Sequence, residues 1–190
     1  MIKYYLIINL IKTKGEIKMD FLELAKNRYS CRKFSDRKVE DEKIEKIIKA
    51  GICAPTAVNY QPFKIWRVES EEARVNIHSV TTCTFGANTF LIVGCDRTAA
   101  WTREYDNYNF ADVDGAIVAT HMMLEIQALG LGTTWVGHFD AAKLKEIYPE
   151  MKNYDLIAIF PIGYSDESDG GKPSPRHSIR KSEAELVKNI

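Results

Sequence analysis

The sequence predicts one α+β or α/β domain built round a central sheet, and three observations carry that prediction. Segments with apolar residues at helical spacing alternate with short, continuous apolar runs. No internal repeat or low-complexity tract interrupts them. With 190 residues, 45% of them hydrophobic and 27% charged, the chain can fill one core, and its composition excludes collagen-like, disordered and membrane classes. Lys+Arg and Asp+Glu are 26 each, so no bulk field draws it toward nucleic acid or anionic lipid, and any anion site must be local.

Residues 1–18 are read as an N-terminal extension and 19–190 as the domain. The apolar run Tyr4–Ile11 falls far short of the about 20 residues that span a bilayer, and no small-residue cleavage site follows it. Its strand propensity predicts packing against the body or a partner subunit. Asp20, with Glu23 three residues on, resembles a capping box opening a helix near 20–27. Asp41 opens a second helix through Ile44, Ile47, Ile48 and Ile52, which Gly51 and Pro55 are expected to end. The next stretch, 54–63, crowds Pro, Asn and Thr into a loop.

Lys64–Val68 and Thr89–Cys95 are expected strands, the second an apolar run suited to burial on both faces. Residues 113–129 form a helix apolar nearly all round, as in a core or an interface, and Asp114, His121 and Glu125 argue against a membrane span. Gly130 and Gly132 close it, Thr133–Val136 gives a strand, Asp140 caps a short helix before Pro149, and Leu156–Ile162 is the last strong strand. The tail 165–180 is expected to be a surface arm, and Ser182 with Glu185 to cap a final turn.

Four stretches can carry chemistry. Arg28, Ser30 and Arg32 alternate after the first helix, so an extended backbone points two guanidiniums and a hydroxyl to one side, a grouping suited to phosphate; a solvated basic turn has the same composition. Asn59 and Gln61 offer amide groups beside small residues in the 54–63 loop. The stretch 130–140 opens backbone N–H groups beside Trp135 and Val136, without the spacing of a dinucleotide fingerprint. Arg176 and Arg180 stand near the C-terminus.

Taken in order, these resemble the nitroreductase family of flavin mononucleotide (FMN) enzymes. Its Arg-x-Ser-x-Arg-x-Phe opening appears as Arg28 to Phe34. Its Ala-Pro-Ser-x-x-Asn-x-Gln-Pro loop appears as Ala54 to Pro62, with Thr56 for the usual Ser. Its long helix, Leu-Gly-Leu-Gly and aromatic strand match Leu129 to Val136. The resemblance implies an α+β fold with a central mixed or antiparallel sheet flanked by helices, and an intertwined homodimer with FMN at the subunit interface. Arg28, Tyr29, Ser30 and Arg32 would hold the ribityl phosphate and pyrimidine edge. Pro55, Thr56, Ala57, Asn59 and Gln61 would approach from the other subunit. Trp135, Val136 and Gly137 would line the isoalloxazine, and Arg176 or Arg180 would reach the phosphate.

No catalytic side chain is implied, because a flavin carries its own chemistry. The expected activity is hydride transfer from NAD(P)H through FMN to a nitroaromatic, quinone or similar small acceptor by a ping-pong mechanism. Reductive dehalogenation, flavin breakdown and a non-catalytic FMN store or sensor remain alternatives. Some members carry Glu where Gly137 or His138 stands. Cys53 with His138 would make a thiol and base, although a cysteine at the end of an amphipathic helix is ordinarily just buried. The four histidines share no metal-ligand spacing, so no metal is expected, and His121 suits a core or interface position. Trp101, Tyr105, Tyr108 and Phe110 suit either a lid or a surface loop packed on its own aromatics. Four scattered cysteines without a CxxC pair suggest a reducing, cytoplasmic setting.

Overall fold

The structure, a computed structural model, describes residues 20–166 and 171–190, so the expectation for residues 1–18 lies outside the described residues. Helix α1 (Phe21–Asn27) is capped by Asp20, whose carboxylate accepts from the Leu22 N–H at 3.4 Å. Glu23 pairs instead with Lys26, 3.0 Å away and one turn on. In α2 (Asp41–Ile52), Ile44 and Ile47 are buried and Ile52 is exposed. Gly51, expected to stop this helix, lies inside it. A Cβ there would sit 2.9 Å from Met122 Cγ, so the glycine permits close approach of two helices. Cys53, expected to be buried, is the exposed C-cap residue.

The chain continues through β1 (Phe63–Val68), α3 (Glu71–Val80), β2 (Thr89–Asp96), β3 (Thr102–Arg103), β4 (Tyr108–Asn109) and α4 (Ala111–Ala128). It then forms β5 (Gly132–Thr133), α5 (Ala141–Ile147), β6 (Tyr154–Gly163) and α6 (Glu183–Leu186). Neither α3 nor the β3–β4 hairpin is evident from the sequence. In the hairpin Trp101 and Tyr108 each set an edge against Phe110, at 5.0 and 5.2 Å between ring centres, so the aromatics pack on one another.

The main sheet runs β1-β2-β6-β5 with every neighbouring pair antiparallel. Ser30 adds one parallel bridge to Thr133. The strand expected over Thr133–Val136 is shorter: β5 holds two residues, and Val136 returns to the sheet through a single bridge to Ile159.

Alternation along β2 explains its unbroken apolar run. Leu91 and Val93 face α2 and α4 with Ile47, Val118, Met122 and Phe160, whereas Phe90 and Ile92 face α3 and α5 with Ile77, Leu144 and Ile159. The α+β architecture, an antiparallel sheet with helices on both faces, follows from these two half-cores.

Helix α4 buries Val118, Ala119, Met122 and Ile126 in its own core. Val113, Ala116, Ile117, Thr120 and His121 line a shallow, largely apolar hollow on another side. His121 is exposed, its Nδ1 2.9 Å from the Ile117 carbonyl. No helix among the described residues is long and apolar enough to cross a membrane.

A polar knot holds the end of α4 against the start of α2. Tyr164 donates to Glu40 at 2.7 Å, Lys43 donates to the Tyr164 hydroxyl at 2.9 Å and to the Leu129 carbonyl at 3.0 Å, and Arg37 lies over the Tyr164 ring while pairing with Glu40 at 2.9 Å. The Tyr164 hydrogen bond, aided by the local backbone and Arg37, lowers the Glu40 pKa from 4.5 to about 2. A depressed carboxylate contributes stability above its unfolded pKa and loses it as pH falls through the folded value. Glu40→Gln should therefore lower the thermal midpoint above about pH 5, with the difference from wild type vanishing near pH 2, as followed by circular dichroism across that range.

Candidate active site

Asn27 ends α1 and Arg28 follows in extended conformation (φ −64°, ψ 126°). The segment is docked rather than free. Ser30 bridges to Thr133, the Cys31 N–H donates to the Thr133 carbonyl at 2.9 Å, and the Ser35 N–H donates to the Tyr164 carbonyl at 2.9 Å. Close approach to β5 requires Gly132, where a Cβ would stand 2.8 Å from that of Cys31.

Arg28 is half-buried. Burial, and then the positive charge of Arg180, push its pKa down from the ordinary guanidinium value. Among the described residues no carboxylate pairs with Arg28. Arg28, with the charge of Arg180 acting on it, makes a local positive spot on a chain of zero net charge.

The C-terminal arm reaches this spot through Tyr29. Its hydroxyl lies 2.7 Å from the Gly171 carbonyl and 3.2 Å from Ser165 Oγ, and its ring meets His177 edge-on at 6.3 Å. Arg180 donates to the carbonyls of His177 and Ile179, at 2.5 and 2.8 Å. Arg176 is exposed in the short 3₁₀ turn Pro175–Ser178. Arg32 is exposed and donates to the Ser30 carbonyl at 3.3 Å.

Beyond β5 the wall continues. Trp135 sets its ring edge-on to Phe160 at 5.5 Å, Val136 is buried, and Gly137 is exposed with open space where a Cβ would project. Trp135, Val136 and Gly137 therefore adjoin the Arg28 segment along one sheet edge.

The loop after α2 lies elsewhere. Pro55 is exposed, and Thr56 precedes a 3₁₀ turn, Ala57–Asn59, in which the Thr56 carbonyl accepts from the Asn59 N–H at 2.9 Å. Thr56 Oγ1 accepts from the Gln61 N–H at 3.0 Å, and Gln61 Nε2 is 3.3 Å from Asn59 Oδ1. Val58, Asn59 and Gln61 have φ of 54°, 57° and 51°. Left-handed backbone costs about 1–2 kcal/mol per non-glycine residue, most conspicuously for β-branched Val58. This loop is tied to the first turn of α4, where the Ala57 N–H donates to Asp114 Oδ1 at 2.8 Å. The Arg28 segment is tied beyond the last turn of α4, where Gly130 (φ 71°) reverses the chain and the Leu131 N–H returns to the Ile126 carbonyl. From Asp114 to Ile126 the helix rises ~18 Å. Within one chain the two groups of candidate residues thus lie toward opposite ends of α4.

The bond from Ala57 to Asp114 and the tie between Tyr29 and the arm are contacts of the candidate site that sequence reasoning missed. An acidic residue inside an otherwise apolar helix was the available signal for Asp114. Among the described residues no three His, Cys, Asp or Glu side chains group as metal ligands.

The sequence pattern of the Nitroreductase family matches residues 25–85 and 82–164 of this chain. A Clostridium difficile protein of the nitroreductase family superposes with a TM-score of 0.81 at 34% identity, over 90% of this chain and 98% of that one. A Methanothermobacter thermautotrophicus relative, provisionally named NADH dehydrogenase/NAD(P)H nitroreductase, is 29% identical over 160 residues, covering 80% of this chain and 81% of its own. An Exiguobacterium sibiricum protein solved in complex with FMN has the same fold, with a TM-score of 0.75 at 20% identity, over 93% of this chain and all of that one. Fold, ordered motifs and family pattern agree, and the chain belongs to the nitroreductase family.

Proposed function

We propose that this chain is an FMN-dependent oxidoreductase that takes hydride from NAD(P)H and passes it to a nitroaromatic, quinone or similar small acceptor. The observation that supports this reading most is the half-buried Arg28 beside Arg180, with no carboxylate partner among the described residues, at the edge of the wall formed by Thr133 to Gly137. A dianionic phosphate suits such a pair, since forked guanidinium donors match its oxygens. The FMN complex of the Exiguobacterium protein and the NAD(P)H in the name of the Methanothermobacter relative point the same way.

In this reading Arg28, Ser30 and Arg180 hold the phosphate, while Trp135 and Val136 form the apolar wall beside the ring. Gly137 leaves space for a planar group to lie close to the backbone. Thr56 to Gln61 contribute from a second copy of the chain, because the same loop in one chain is tied toward the far end of α4. Bound FMN supplies the hydride-accepting and hydride-donating chemistry, which leaves the protein to bind, orient and exclude water. One pocket then serves both substrates in turn. Initial rates measured with varied NADH or NADPH at several quinone concentrations should give parallel double-reciprocal lines. Intersecting lines would contradict the alternation.

A further inference from the structure

Asp114 is fully buried on α4, in a helix whose other buried residues are apolar or glycine. Its Oδ1 accepts the Ala57 N–H from 57 residues away at 2.8 Å, and its Oδ2 is buried without a hydrogen-bond partner among the described residues. A buried carboxylate oxygen that no protein donor meets is costly, and an apolar side chain would ordinarily serve packing at least as well. The polar contacts of Thr56, Asn59 and Gln61 are internal to their loop, so among the described residues the bond to Asp114 is the hydrogen bond that ties the turn from Thr56 to Gln61 to a distant element.

We infer that Asp114 is a positioning residue. Its buried carboxylate fixes the Ala57 amide and so holds Thr56 to Gln61 in the conformation presented to the flavin. This role presupposes the flavin contact proposed for that loop, but the latch itself is a property of the chain without ligand. Removing the carboxylate leaves an amide that water can satisfy, since Ala57 is partly exposed. The loop then loses its register while the core keeps its packing. A residue with only a structural role would show the opposite, a lower thermal midpoint with the loop unchanged.

The test compares wild type, Asp114→Ala and Asp114→Asn as full chains, by residue-resolved amide exchange of the flavin-free protein and by FMN titration. In wild type the Ala57 amide should be protected. In Asp114→Ala it should exchange at least tenfold faster while the Val118 amide in the helix is unchanged, and FMN should bind about ten to a hundredfold more weakly. Asp114→Asn, which keeps an acceptor oxygen in place, should restore both to within about threefold. An unprotected Ala57 amide in wild type would overturn the latch even if Asp114→Ala failed to fold. Faster exchange in Asp114→Ala with unchanged FMN affinity would leave the latch standing and overturn the positioning role. Failure of wild type to bind FMN would instead overturn the flavin reading, and the exchange comparison would still decide the latch.

Discussion

If the proposed second copy of the chain packs on α4, Ile117→Glu should convert that flavin-binding dimer into a monomer that loses FMN on gel filtration. Ile117 lies at the centre of the α4 stripe of Val113, Ala116, Thr120 and His121, which the other described residues leave partly uncovered. A helix without a polar face needs apolar surroundings on more than one side, and a second copy of the same helix is the self-complementary solution. An unpaired carboxylate buried there would cost several kcal/mol, enough to dissociate a typical dimer at working concentration. Sedimentation velocity read at a visible flavin wavelength measures mass and flavin content together. A monomer that retained flavin would place the whole site in one chain. Ala119 is a poor place for the same test. It is fully buried in its own core, so a charge there reports on folding.

Arg28→Ala should weaken FMN binding about ten to a hundredfold, the loss expected for one charge-assisted phosphate contact of about 1.5–3 kcal/mol. Its second signature separates a binding role from a structural one. In the flavin-free protein Arg28 is half-buried and repelled by Arg180, so removing it should leave the thermal midpoint unchanged or higher. FMN titration by quenching of flavin fluorescence, with a melt of the flavin-free variant, reads both. An unchanged dissociation constant would take Arg28 out of the site.

How much of this was legible in the sequence depends on how local each signal is. The isoleucines of α2, the apolar run of β2 and the caps Asp20 and Asp140 are properties of a few neighbouring residues, and each element stands near its expected place. The capping box of Ser182 and Glu185 is formed too. Helix α3 was missed because its fully buried face amounts to Ile77 and Val80, although Ser70 does cap it. Strands of two residues, such as β3 and β4, carry no period at all.

Gly51 shows a local rule overruled by tertiary packing: its neighbour is Met122 on α4, and nothing near it in the sequence announces that contact. The candidate site divides in the same way. Spacing could nominate Arg28, Ser30 and Arg32 as candidates, while the bond from Arg32 back to the Ser30 carbonyl could not be read from it. The approach of Arg180 to Arg28 and of Asp114 to Ala57 depends on contacts across 152 and 57 residues, where one sequence offers residue types but not proximity.

The most direct test of the proposed activity is anaerobic mixing of the full chain, loaded with one FMN per subunit, with NADH and separately with NADPH. The visible flavin absorption should disappear with at least one of them in the absence of any acceptor, and return when a quinone or nitroaromatic is added. Flavin absorption that stays unchanged with both nicotinamides would contradict the account, and would leave a protein that holds FMN without turning it over.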